Sequence, residues 1–141
     1  MKEPVIILDE GAKDVGLAEM LFNLLRQNLD QKPQKVSSFE ALDSNVVMVA
    51  RDIDITVTLA FKKGKLKIYD GVVGNPDLKI IADHDAILEL SLINIRMGLP
   101  NYFDKTGRKV FKKVLLGNLK IEGMLRHPLQ LIHLTKIFSV N

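Results

Sequence analysis

Asp54-Ile-Thr-Val-Thr-Leu-Ala-Phe-Lys-Lys-Gly-Lys-Leu-Lys-Ile-Tyr69 is the stretch that decides the architecture of this chain. Ile55, Val57, Leu59 and Phe61 alternate with Thr56, Thr58, Ala60 and Lys62; after the turn, Leu66 and Ile68 alternate with Lys65, Lys67 and Tyr69. Period two on both arms predicts an antiparallel hairpin with one apolar face and one wet face. Gly64 supplies the residue that takes a positive φ in the loop. A two-stranded ribbon is marginal in water, so further strands must lie beside this pair and helices must cover its apolar side.

Working outward toward the N-terminus, Val46 to Ala50 reads as the first strand of a meander. The spacing of Val15, Ala18, Phe22, Leu25 and Leu29 predicts a helix from about Ala12 to Gln31, stopped by Pro33 and capped by Asp9 or Asp14. Val5 to Leu8 is an edge strand or a docked arm.

Toward the C-terminus, Gly71 and Gly74-Asn75-Pro76 punctuate the chain and Leu78 to Ala82 makes another strand. Asp83 reads as the cap of a helix from His84 to Leu92, with Asp85 in its first turn. After the break at Gly98-Leu99-Pro100, Lys105, Arg108, Lys109, Lys112 and Lys113 recur at helical steps opposite Phe111, Val114 and Leu115. Leu119 to Ile121 is a last short strand, and Pro128 starts a final helix that runs to Val140. The order predicts an α+β fold with helices on one face of an antiparallel sheet. It forms a single domain over residues 1–141, with an N-terminal arm and helix over 1–32 and the sheet and covering helices over 45–141.

At 141 residues one domain fits and two do not. Apolar residues make up 47% of a chain that is also 26% charged, and the mean hydropathy is slightly positive. No apolar run is long enough to span a bilayer and the N-terminus lacks a signal-peptide pattern, so the surplus belongs inside and a cytoplasmic location is expected. The absence of cysteine excludes disulfides, thiolate metal sites and a thiol nucleophile. A net charge of +3 is too modest to call for nucleic acid, and aromatic residues for stacking beside Lys62, Lys63 and Lys65 are sparse, so no nucleic-acid partner is expected.

Catalytic patterns are missing as well. There is no glycine-rich phosphate loop, nucleophile elbow or paired-histidine zinc motif. Asp83-His84-Asp85 sits at a helix start, where aspartates serve as caps, and His127 and His133 do not share a helical face. The expectation is a protein without catalytic residues, metal or cofactor. In the final helix the large polar side chains are Gln130, His133 and Lys136, three apart. So narrow a polar stripe means burial round most of the circumference, by tight packing or by lining an apolar cavity. His133 at the edge of such a cavity could hydrogen-bond a lipid carboxylate.

Gly117-Asn-Leu-Lys-Ile-Glu-Gly123, followed by Met124-Leu-Arg-His-Pro128-Leu-Gln-Leu-Ile132, resembles the closing signature of the sterol-carrier-protein-2 lipid-transfer family. The hairpin from Ile55 to Tyr69 and the strand and helix start from Leu78 to Leu90 occur in the order that family uses. The chain has Gly123-Met124 where many members carry Gly-Asp, and its longer link from Ile95 to Leu116 resembles prokaryotic relatives. The resemblance implies a five-stranded, mostly antiparallel sheet covered by helices, with an apolar tunnel between them for a sterol, fatty acid, acyl-coenzyme A or other lipid. Alternation and helical spacing nominate Val57, Leu59, Phe61, Ile87, Leu90, Met97, Met124, Leu125, Leu129, Ile132 and Phe138 as its walls, with His133 as the polar contact.

The expected function is therefore non-enzymatic lipid binding and transfer. At ~25 cal/mol per Å² of apolar area, a lipid that buries a few hundred Å² gains several kcal/mol. The alternative is an accessory protein that holds a prenyl-quinone or acyl intermediate for a partner enzyme, or a homodimer formed through the same apolar surface. The basic stripe Lys105, Arg108, Lys109, Lys112 and Lys113 is either a solvated helix face or a membrane-surface element, with each cation worth ~1 kcal/mol near an anionic bilayer. On the second account, charge reversal at Lys109 and Lys112 lowers vesicle binding.

Overall fold

The computed structural model describes residues 4–90, 95–96, 99–100, 105, 108–109, 112 and 119–140. The hairpin forms two inner strands of the sheet, β3 (Ile55–Lys62) and β4 (Lys65–Asp70). Its loop is the two residues Lys63 and Gly64, both at positive φ (41° and 88°), the condition that the tightest hairpin turn imposes on both of its central residues. β2 (Asn45–Ala50) pairs antiparallel with β3.

The remaining strands, β1 (Val5–Leu8), β5 (Leu78–Ala82) and β8 (Leu119–Glu122), make the sheet six-stranded rather than five-stranded, in the order β1-β4-β3-β2-β5-β8. The extra member is β1, which pairs parallel with β4. β5 pairs parallel with β2, and β8 closes the far edge antiparallel to β5. Two further short strands, β6 (Ile95–Arg96) and β7 (Leu99–Pro100), pair with each other.

Register puts Ile6, Leu66, Ile68, Phe61, Leu59, Val57, Val46, Met48, Leu78, Ile80, Leu119 and Ile121 on one face. All are buried except Ile121, which is partly so. Helix α1 (Gly16–Gln31) lies over β1, β4 and β3, sinking Leu21, Leu25 and Leu29 into the same core. It starts four residues later than the periodicity predicts. Asp9 instead caps a short 3-10 turn, its carboxylate accepting from Gly11 N at 3.2 Å. A 3-10 turn over Pro33–Lys35 leads into α2 (Val36–Ala41), six residues that the sequence pattern does not announce. Phe39 of α2 meets Phe61 of β3 edge to face, 6.1 Å between ring centroids, a geometry worth ~1 kcal/mol beyond its buried area. Helix α3 (His84–Leu90) packs on β5.

The opposite face is less wet than alternation suggests. Residues 71–77 cross it on their way from β4 to β5, with Thr58 Oγ1 donating to Gly71 O at 2.6 Å and accepting from Val73 N at 3.1 Å. Val47 and Thr58 are therefore buried on that side too.

Candidate functional site

The final helix, α4 (Pro128–Phe138), brings the candidate residues together. Proline occupies the helix start, where its missing N–H costs nothing. The helix packs against α1, α2 and β7 and sends Leu134, Ile137 and Phe138 into the main core.

Both ends are fastened by polar side chains. At the N-terminal end, Gln130 Oε1 accepts from Asp43 N and Ser44 Oγ, each at 3.0 Å, while Gln130 Nε2 donates to Ala41 O at 3.2 Å. At the C-terminal end, Asn28 of α1 donates to Ile137 O and Phe138 O, both at 2.9 Å, and Lys35 Nζ donates to Lys136 O at 2.6 Å. Three carbonyls left over by the helix ladder are thus satisfied from outside. Lys35 also places a cation where the helix dipole favours one. Burial, and then the charge of Lys32, hold the Lys35 ammonium at a pKa of about 8.

His133 lies between these two clamps. It is half-buried, and its Nδ1 is shielded from solvent, without a hydrogen-bond partner among the described residues. Desolvation, followed by the charge of Lys136, lowers its pKa, so the ring is neutral at pH 7. A neutral imidazole with a free, shielded nitrogen can bond the polar head of an otherwise apolar guest.

The predicted wall residues divide into two sets. Val57, Leu59, Phe61, Ile87 and Phe138 are buried in the core between sheet and helices. Ile132 is partly buried beside His133. Met124, Leu125 and Leu129 are 38%, 92% and 68% exposed, so they stand on the outside, at the turn before α4 and on its first turn. Leu90 is a backbone position of α3 whose side chain, like all of Met97 and Lys113, lies outside the described residues. Lys105, Arg108, Lys109 and Lys112 are exposed helical positions, and Lys109 pairs with Glu89 at 3.4 Å. A separate open groove of about 410 Å³, lined by Pro4, Ile6, Arg26, Leu29, Asp30 and Pro33, contains none of the predicted wall residues.

Asp83-His84-Asp85 works as helix-start structure. Asp83 O accepts from Ala86 N and Ile87 N, and the carboxylate that receives His84 N, at 2.9 Å, is that of Asp52 in the β2–β3 turn. Asp52 also bonds His84 Nδ1, and Asp85 lies 3.1 Å from Nε2. Among the described residues no group of three or more histidine, aspartate or glutamate side chains is placed to hold a metal ion. None of their helices is long and apolar enough to cross a membrane.

Asn28, Lys35 and Gln130 are the residues that sequence reasoning missed as organisers of this region. The available signal was an asparagine placed within an otherwise leucine stripe, three residues after Leu25.

The open mixed sheet, with α1, α2 and α4 gathered on one face, has an SCP2-like fold by its likeness to a solved structure. Among solved structures, the chain is similar to one described as a UbiJ-SCP2 ubiquinone synthesis protein, with a TM-score of 0.60 at 14% identity, covering 86% of this chain and 94% of that one. No protein-family model and no curated protein matches the chain.

Proposed function

We propose that this protein is a non-enzymatic lipid carrier that holds one long apolar ligand between α4 and the inner face of the sheet. The observation that carries this reading is His133, a neutral ring whose shielded Nδ1 has no hydrogen-bond partner among the described residues, on a helix that sends Leu134, Ile137 and Phe138 into the core. The ligand's chain replaces water against aliphatic walls, and its carboxyl, hydroxyl or carbonyl head bonds His133 Nδ1. A fatty acid, an acyl chain or a sterol-like molecule meets that description. No bond is made or broken.

The SCP2-like fold supports an accessory role equally well. The structural neighbour is described as a ubiquinone synthesis protein, which favours a version in which the cargo is a prenyl-quinone or acyl intermediate presented to a partner enzyme.

Native mass spectrometry of the purified protein, with solvent extraction of the bound fraction, tests both. A co-purifying lipid of defined mass supports the carrier, and a quinone-type isoprenoid selects the accessory role. In His133→Leu the retained amount should fall severalfold while thermal stability holds. Protein that emerges free of lipid and takes up none on incubation with mixed lipids contradicts both.

A further inference from the structure

Register places Lys62, Lys65, Lys67, Lys79 and Lys120 on the outer face of the sheet, the one turned away from the helices. Glu122 shares it and pairs with Lys120 at 3.6 Å, and Asp9, just past β1, pairs with Lys67 at 3.6 Å, which leaves Lys62, Lys65 and Lys79 for an outside partner. Lys62 and Lys65 stand directly opposite each other across β3 and β4, an arrangement of like charges that costs the fold stability. Apolar groups stand among these cations: Val5 and Ile7 of β1 share the face, and residues 71–77 cross it carrying Val72 and Val73. All four are exposed, Val72 at 60%.

We propose that this outer sheet face is where the protein docks on an anionic lipid bilayer. The lysines lie at the level of the headgroups, and Val72 with its neighbours enters the interface below them. The chemistry of the face selects that occupant. A second copy would bring five lysines against five. Every strand cation on the face is a lysine and none an arginine, which suits a diffuse negative surface better than forked recognition of individual phosphates. Protein interfaces are depleted in lysine at their centres. The face is also separate from the cargo region, which lies on the other side of the sheet, so a docked carrier keeps α4 away from the headgroups.

The test is co-sedimentation with phosphatidylcholine vesicles prepared with and without phosphatidylglycerol, at low salt. Wild-type protein is expected to bind the anionic vesicles and to release as salt rises. Lys62→Gln/Lys65→Gln/Lys79→Gln should lose about fivefold for each charge removed, with unchanged or higher thermal stability because the opposed pair is relieved. Val72→Ser should weaken binding severalfold. Wild-type protein that ignores both vesicle types overturns the proposal, as does a triple variant that binds like wild type. So does a loss of binding that follows charge reversal at Lys109 and Lys112 and spares the sheet face. Vesicle binding is read without reference to cargo, so its failure leaves the carrier reading standing.

Discussion

Gly123 shows how much structure one residue can fix. It sits at φ +87°, and a Cβ built on it would stand 2.0 Å from Asp77 O, a backbone atom that cannot step aside. Asp77 is itself tied to the start of β2, its N–H donating to Asn45 O and its carboxylate accepting from Asn45 N, both at 2.8 Å. Gly123→Ala should therefore destabilise by at least ~3 kcal/mol, combining left-handed strain with a clash, and a denaturant melt reads it. At His84, the hydrogen bond that the ring donates to Asp52 raises the pKa, opposed by burial and assisted by the charges of Asp52, Asp85 and Asp83. For Asp52, burial alone would raise the pKa, but the hydrogen bonds from His84 outweigh it and leave the value lowered. A raised histidine stabilises fully below the unfolded value near 6.5, and that stability is lost as pH climbs through the raised folded value. Tm should fall across that window, and Asp52→Asn should flatten the decline.

At the scale of elements, α4 owes its position to α1. Asn28→Leu keeps the volume but strips two buried carbonyls of their donor; the expected cost is ~2–4 kcal/mol, with Leu134 and Ile137 loosened together in hydrogen exchange. Lys35 at the same helix end gives the opposite pH signature to His84. Its folded pKa of about 8 lies below the unfolded lysine value, so between the two the unfolded chain holds a proton that the folded one has released. Stability from this group therefore rises with pH through that window, and Lys35→Met should remove the rise.

Elements with a strict period were legible in the sequence: the hairpin, β5 and α4 each announce themselves by alternation or by a proline-opened apolar run. α2 was not, because six residues containing Ser37 and Ser38 carry too short a stripe. The parallel pairings of β1 with β4 and β2 with β5 were not either, because they are set by where residues 9–44 and 71–77 travel rather than by any local pattern. Within the candidate site, His133 stood out as a lone large polar group between apolar neighbours. The clamps Asn28 and Lys35 did not, since each looks like an ordinary polar residue until its partner carbonyl, more than a hundred positions away, is known.

Taken as a whole molecule, the chain gathers α1, α2 and α4 over one face of its sheet, with His133 carried on α4, and leaves a basic face on the other. The carrier account requires that the hydrocarbon between α4 and the sheet accept a guest, and methyl-resolved NMR during titration with a medium-chain fatty acid tests this most directly. Saturable shifts are expected at Ile80, Ile87, Leu134 and Ile137, accompanied by a change in the His133 ring signals. Shifts confined to exposed Leu125 and Leu129, with the interior methyls and His133 unmoved at saturating fatty acid, would contradict it.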